Sequence, residues 1–292
     1  MKPTDIVLAI GVAIVWGLAF VASKIGLQEL SPAMFCALRF AVAAVPCLFV
    51  RKPAISLRLF VSLGVTMLLF QFLAQSYGIA HGVPAGLMGV IVQTQALFTV
   101  MLAALVLREM PTRAQVIGIG VAMLGLAMIC GTVGYDFSLQ AFVISMISPI
   151  SFSIGNLLLR QTGNVPMLDL TAWLSLMQVP PLLAISFATE GSQAAIHSVL
   201  SMSWIAVASV LAVGIFSTSI AYLAWGRLMR TYTAAQVVPF ALLVPFVGAA
   251  ASTVVFGETF GPLRLAGMMV VVTGIAIMLL LGRSRNLPKV AS

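Results

Sequence analysis

Residues 107–126 read LREMPTRAQVIGIGVAMLGL, and residues 256–275 read FGETFGPLRLAGMMVVVTGI. In both, a glutamate sits in a turn and an apolar run with two glycines follows. Glu109, Gly118 and Gly125 recur as Glu258, Gly267 and Gly274, each 149 positions later. A second register holds nearer the front of the chain, where Pro32 and Pro46 recur as Pro166 and Pro180, 134 positions later. The difference of 15 places a longer connection near 189–203 in the second half. The chain is therefore expected to be a duplication, with one unit over 1–134 and the other over 135–292.

Apolar runs that cross a bilayer need about 17–25 residues. Ten candidates stand near 5–27, 32–50, 57–79, 84–107, 113–132, 138–160, 167–188, 203–226, 234–256 and 263–282. Proline and glycine punctuate the breaks, at Ser31-Pro32, Lys52-Pro53, Met110-Pro111 and Gly261-Pro262. The composition agrees: 61% of the residues are hydrophobic and 8% charged, whereas a soluble domain carries about 25% charge. Lipid must be the solvent for most of this chain. Backbone groups in lipid have to be satisfied within a segment, so the runs are helices; a barrel would alternate residue by residue. Residues 1–25 have the look of a signal peptide, but nine similar runs follow, so they read as the first span. The expected fold is an all-α integral membrane protein of ten transmembrane helices. Five helices per unit is an odd number, which makes the second unit enter from the opposite side, as inverted repeats.

The net charge of +8 marks topology rather than nucleic acid, because the basic residues stand singly or in small groups between apolar runs. With the N-terminus inside, twelve Lys and Arg fall in inner segments: Lys2, Arg51, Lys52, Arg58, Arg108, Arg113, Arg160, Arg227, Arg230, Arg283, Arg285 and Lys289. The outer loops hold one, Arg264, together with Glu29, Asp136, Glu190 and Glu258. Both termini are thus expected in the cytoplasm and the protein in the inner (plasma) membrane.

Several motifs carry a resemblance to a known family. Trp16-Gly17 with Lys24, Arg39-Phe40 in the second helix, and the duplicated Glu109/Gly118/Gly125 and Glu258/Gly267/Gly274 resemble the pattern of the EamA family, in the drug/metabolite transporter superfamily. The resemblance covers nearly the whole chain and is closest to the aromatic amino-acid exporters. It implies ten helices, a central cavity, and export of amino acids or other small metabolites by alternating access. The second unit departs from the first: Ser151-Phe152 stands where Trp16-Gly17 would.

Function is sought among polar and aromatic side chains deep in apolar runs, where they are costly and have to face protein or a cavity. Gln71 and Gln75 share one face of helix 3. Gln93 and Gln95 lie about 200° apart on the wheel of helix 4, so one of them, Gln93, is expected to face the cavity. Asn156 lies deep in helix 6. Trp16 and Tyr222 sit too far inside for an interfacial belt, Trp225 lies three residues beyond Tyr222 on helix 8, and Tyr77 and His81 pair at the outer end of helix 3. These nine are the expected substrate-binding residues. An amide donates and accepts, which suits a zwitterion, and aromatic faces suit planar or apolar side chains. Lys24 is expected to snorkel, to pair with Glu29 or to hold a carboxylate, and Arg39 to form a structural ion pair or bind carbonyls. The two histidines, His81 and His197, and the cysteines, Cys36, Cys47 and Cys130, form no metal motif, and no phosphate loop or paired carboxylates occur, so no cofactor is expected. The expected partners are a small-molecule substrate and the lipid bilayer. The alternatives are an integral-membrane enzyme for lipid-linked substrates and a channel.

Overall fold

The computed structural model describes residues 1–134, 137–163 and 165–282. Asp136 and the C-terminal Arg283, Arg285 and Lys289, all in the charge tally, lie outside the described residues, as does Tyr135. The architecture is all-α. The helices are α1 (Pro3–Gly26), α2 (Pro32–Leu48), α3 (Leu57–Ala80), α4 (Ala85–Val106), α5 (Arg113–Cys130), α6 (Leu139–Thr162), α7 (Met167–Glu190), α8 (Trp204–Thr231), α9 (Val238–Phe256) and α10 (Pro262–Leu281); among the described residues all but α2, a shorter apolar helix, are long and apolar enough to cross a bilayer. The expected long connection is a short helix, Ser192–Leu200, entered through Gly191 at a φ of 83°. Large apolar side chains face outward all round the bundle, among them Leu105, Ile117, Leu139, Leu223 and Val254. This is a surface made for lipid.

Helix starts are written locally. Pro3, Pro32 and Pro262 occupy the first turns, where the missing N–H costs nothing. Ser31, Ser56, Ser138 and Ser203 cap α2, α3, α6 and α8. Thr112 and Gln115 form a reciprocal capping box on α5.

The middles of four helices are irregular, and the irregularity repeats. α3 and α8 each widen into a π segment, Val65–Phe70 and Ala212–Ile220. Each begins eight residues after its helix starts. A wide turn leaves carbonyls without their usual donors, and a neighbouring helix supplies one. Trp16 Nε1 donates to Ser217 O at 3.2 Å, and Ser151 Oγ donates to Thr66 O at 2.8 Å. α4 breaks at Thr94, and α9 opens with a 3₁₀ stretch, Val238–Leu243. Gln93 Nε2 satisfies Ala241 O at 2.7 Å, and Ser153 Oγ satisfies Gln95 O at 2.8 Å.

Packing follows a permutation. α1 packs on α8 and α9, and α6 packs on α3 and α4. α2 packs on α8, and α7 on α3. Corresponding helices also pair: α2 with α7, α4 with α9, α5 with α10. Exchanging α1–α5 for α6–α10 leaves this set unchanged. The crossing of α5 and α10 shows the rule at atomic scale. A Cβ on Gly118 would stand 2.6 Å from Gly274 O, and one on Gly125 would stand 2.7 Å from Gly267 O. The reverse approaches, Gly274 to Gly118 O and Gly267 to Gly125 O, are 2.6 and 3.0 Å. Both backbones touch, which only glycine allows.

The permutation is incomplete: α10 packs on α4 while α5 on α9 is at most slight, and the larger departure is at α1. α1 also packs on α3 and α4, while the equivalent packing of α6 on α8 and α9 is at most slight.

Candidate functional site

That gap is the mouth of a central cavity of about 690 Å³, within the usual range for small-molecule sites. α1, α2 and α3 line it through Trp16, Arg39 and Gln71 among others, α4, α6, α8 and α10 from their middles onward, and α7 and α9 with their beginnings. It reaches the surface at Gly163 and Arg230, both exposed, on the face that carries the N-terminus. Towards the opposite face it ends among buried residues, Phe20, Ser23 and Gln75.

The far end is held shut by charge. Lys24 Nζ lies 2.6 Å from Glu258 Oε1 and 4.6 Å from the centre of the Phe256 ring. Glu258 also accepts from the backbone N–H groups of Ala85 and Gly86, at 3.0 and 3.4 Å, so it binds the start of α4 to α1. Glu29 is therefore not the partner of Lys24. It accepts from Ser203 N and Oγ at 2.7 and 2.5 Å, and these bonds hold its carboxyl below the usual range. On the N-terminal face the corresponding glutamate, Glu109, meets Arg160 Nη1 at 2.8 Å, and this pair is about half exposed.

Of the nine expected site residues, Trp16, Gln71, Gln75, Gln93, Asn156, Tyr222 and Trp225 line the cavity. Trp16 stands 5.7 Å from Tyr222, edge to face, and 5.1 Å from Trp225. Asn156 Nδ2 donates to Thr99 Oγ1 at 3.3 Å. Gln71 Oε1 is buried without a partner. Tyr77 and His81 stand outside the cavity, at the exposed end of α3. Their rings stack at 3.8 Å, and His81 Nδ1 is 2.8 Å from Tyr77 O. Gln95, expected to turn away, lines the cavity with Gln93. The break at Thr94 resets the helical wheel between them.

Arg39 also lines the cavity and is only 2% exposed. The expected ion pair is not there: among the described residues, no carboxylate lies within salt-bridge distance. Its Nη2 donates to Thr218 Oγ1 at 2.9 Å, its guanidinium stacks 4.2 Å over Phe72, and its Nε has no partner. Gly214 allows this approach, since a Cβ there would stand 2.9 Å from Arg39 O. Stacking contributes about 0.5–2 kcal/mol. Removing a cation from water costs several kcal/mol, so these contacts leave the charge incompletely compensated. The clue lies in the sequence: Arg39 stands amid an apolar run, and the acids of the spans sit at their ends.

Among the described residues no group of three His, Cys, Asp or Glu side chains could hold a metal. The family model described as the EamA-like transporter family matches residues 4–131 and again residues 139–280. The chain belongs to the EamA-like transporter family. This transporter is 32% identical to a probable amino-acid metabolite efflux pump of Salmonella typhimurium, over 95% of each chain. It is 31% identical to the protein of that name in Escherichia coli, over the full length of both. A probable terminal-alkyne amino-acid exporter of Streptantibioticus cattleyicolor is 29% identical over 98% of each. A crystal structure at 15% identity superposes with a TM-score of 0.64, covering 97% of this chain and 100% of the other, which shows the fold. The EamA-like protein is a multi-pass membrane transporter of small molecules and not an enzyme.

Proposed function

We propose that this transporter exports amino acids and related small amphipathic metabolites, aromatic ones among them, across the inner membrane by alternating access. The observation that carries the reading is that, among the described residues, the cavity reaches exposed residues on one face and ends among buried ones towards the other. A site of this size, faced by Trp16, Tyr222 and Trp225 and by the amides Gln71, Gln75, Gln93 and Asn156, is open on one face and closed on the other. A channel would be open on both at once. In this reading residues 1–134 and 135–292 are inverted repeats. The two matches to one family model and the exchange of contacts between α5 and α10 support it. Closing α6 onto α8 and α9 while parting α1 from α3 and α4 would carry the opening to the other face. The names of the Salmonella and Escherichia relatives support amino acids as cargo. The twelve inner basic residues favour cytoplasmic termini, so the open state faces the cytoplasm.

The test is counterflow in proteoliposomes loaded with unlabelled phenylalanine or leucine, because only a carrier exchanges. Trp16→Ala and Asn156→Leu should each slow exchange at least about tenfold, from loss of a stacking face and of a cavity donor. Wild-type rates in both variants, at equal reconstitution, would remove the site assignment.

A further inference from the structure

We propose that Arg39 is the cavity's carboxylate anchor, and that the cavity recognises organic carboxylates with an apolar or aromatic side chain whether or not they carry a free ammonium group. This deepens the reading above and rests on the cavity being the substrate site. Among the described residues, the cavity is lined by two cations and no carboxylate: Arg39 deep inside and Arg230 at the mouth. A substrate's negative end has a charged partner there, and its positive end has only amides and aromatic faces.

The geometry of Arg39 suits capture. The guanidinium is pinned from one side, by the stack over Phe72 and the bond to Thr218, so its plane is fixed before a ligand arrives. Thr218 is itself oriented by the π segment of α8, where its Oγ1 donates to Val213 O at 3.0 Å. Nε remains unpartnered. The planar guanidinium fork can match a carboxylate in two parallel bonds, which a lysine in its place would not reproduce. Gln71 and Gln75 flank Phe72 along α3 and both line the cavity, and an amide side chain can accept from an amine, hydroxyl or amide N–H. An acceptor of that kind does not require an ammonium. N-acylated amino acids and 2-oxo acids therefore belong to the ligand class.

The experiment uses two acid–amide pairs on the purified, reconstituted full chain: L-phenylalanine with L-phenylalaninamide, and N-acetyl-L-phenylalanine with N-acetyl-L-phenylalaninamide. Binding is read by ligand-induced thermal shift. Each acid should bind between about tenfold and a hundredfold more tightly than its amide. Arg39→Gln should erase that difference, and Arg39→Lys should keep part of it. Equal binding of acid and amide by the wild type overturns the anchor, and this comparison stands even where Arg39→Gln does not fold. An acid preference that survives in folded Arg39→Gln overturns it as well, as does the absence of any shift with either acid. Binding of the acetylated acid without counterflow of any amino acid would sink amino-acid export and leave the anchor standing. Amino-acid counterflow with equal acid and amide binding would do the reverse.

Discussion

Neutralising Glu258 should open the closed face. Glu258→Gln keeps the shape of the side chain but removes the charge that Lys24 meets at 2.6 Å and weakens the bonds from Ala85 N and Gly86 N. A hydrogen bond to a charged group contributes about 1.5–3 kcal/mol. Lys24 is 27% exposed and Glu258 8%, so some of that is screened. About 2 kcal/mol is a fair figure, which shifts the equilibrium between closed and open faces about thirtyfold at 1.4 kcal/mol per decade. The readout is a single cysteine, Ser23→Cys, placed at the buried end of the cavity in a background without Cys36, Cys47 and Cys130. A membrane-impermeant maleimide is applied from the far face. Glu258→Gln should raise its labelling rate about thirtyfold. Glu109→Gln is the internal comparison: its pair with Arg160 is 49% and 55% exposed, is worth about 0–1 kcal/mol, and holds the other face. It should change the rate less than about fivefold. No rise in Glu258→Gln, or an equal rise in Glu109→Gln, would refute the latch.

Three further outcomes are expected. Gly118→Val places a Cβ 2.6 Å from Gly274 O, with no flexible side chain to yield; it should lower stability by about 3 kcal/mol or more, read as thermal unfolding in detergent. Every acid among the described residues lies at or near a span end, so a pH gradient of about two units, worth roughly 2.7 kcal/mol per proton, should drive no accumulation of phenylalanine. Uphill uptake abolished by an uncoupler would contradict this. A cysteine at Ser138, the cap of α6, should label from outside intact cells, and labelling from the cytoplasmic side alone would invert the topology.

The spans were legible because hydropathy and proline–serine punctuation are local signals. The breaks at Ser31-Pro32 and Gly261-Pro262 stand where the sequence placed them. The interior was less legible because it depends on partners far along the chain. Nothing near Thr94 announces that α4 breaks there, so Gln95 was turned the wrong way. For Lys24 the sequence leaves snorkelling, Glu29 and a substrate carboxylate open, and its partner is Glu258, 234 residues on. The unlike residues Trp16 and Ser151 illustrate the same point. They looked like a loss of equivalence between the halves, yet each donates to a carbonyl in the widened turn of a neighbouring helix. A sequence comparison sees an indole and a hydroxyl; the helices see two donors. Arg39 was noticed and given a structural role, because the cavity beside it could not be seen.

The crossing of α5 and α10 has a consequence for biogenesis. α5 packs along α10 and touches little else, yet Cys130 and Leu281 lie at their far-separated ends in the chain. At about 5–20 residues per second of synthesis, α5 waits on the order of 10–30 s in the bilayer before its partner emerges. Throughout that interval its bare stripe of Gly118, Ala122 and Gly125 faces lipid or whatever helix is at hand. The stripe on α10, Gly267 and Gly274, has the same spacing as Gly118 and Gly125 on α5, so a second nascent α5 offers a similar surface. Ribosomes spaced closely along one message would bring such helices together, and premature pairing between chains is the assembly error this architecture has to outrun.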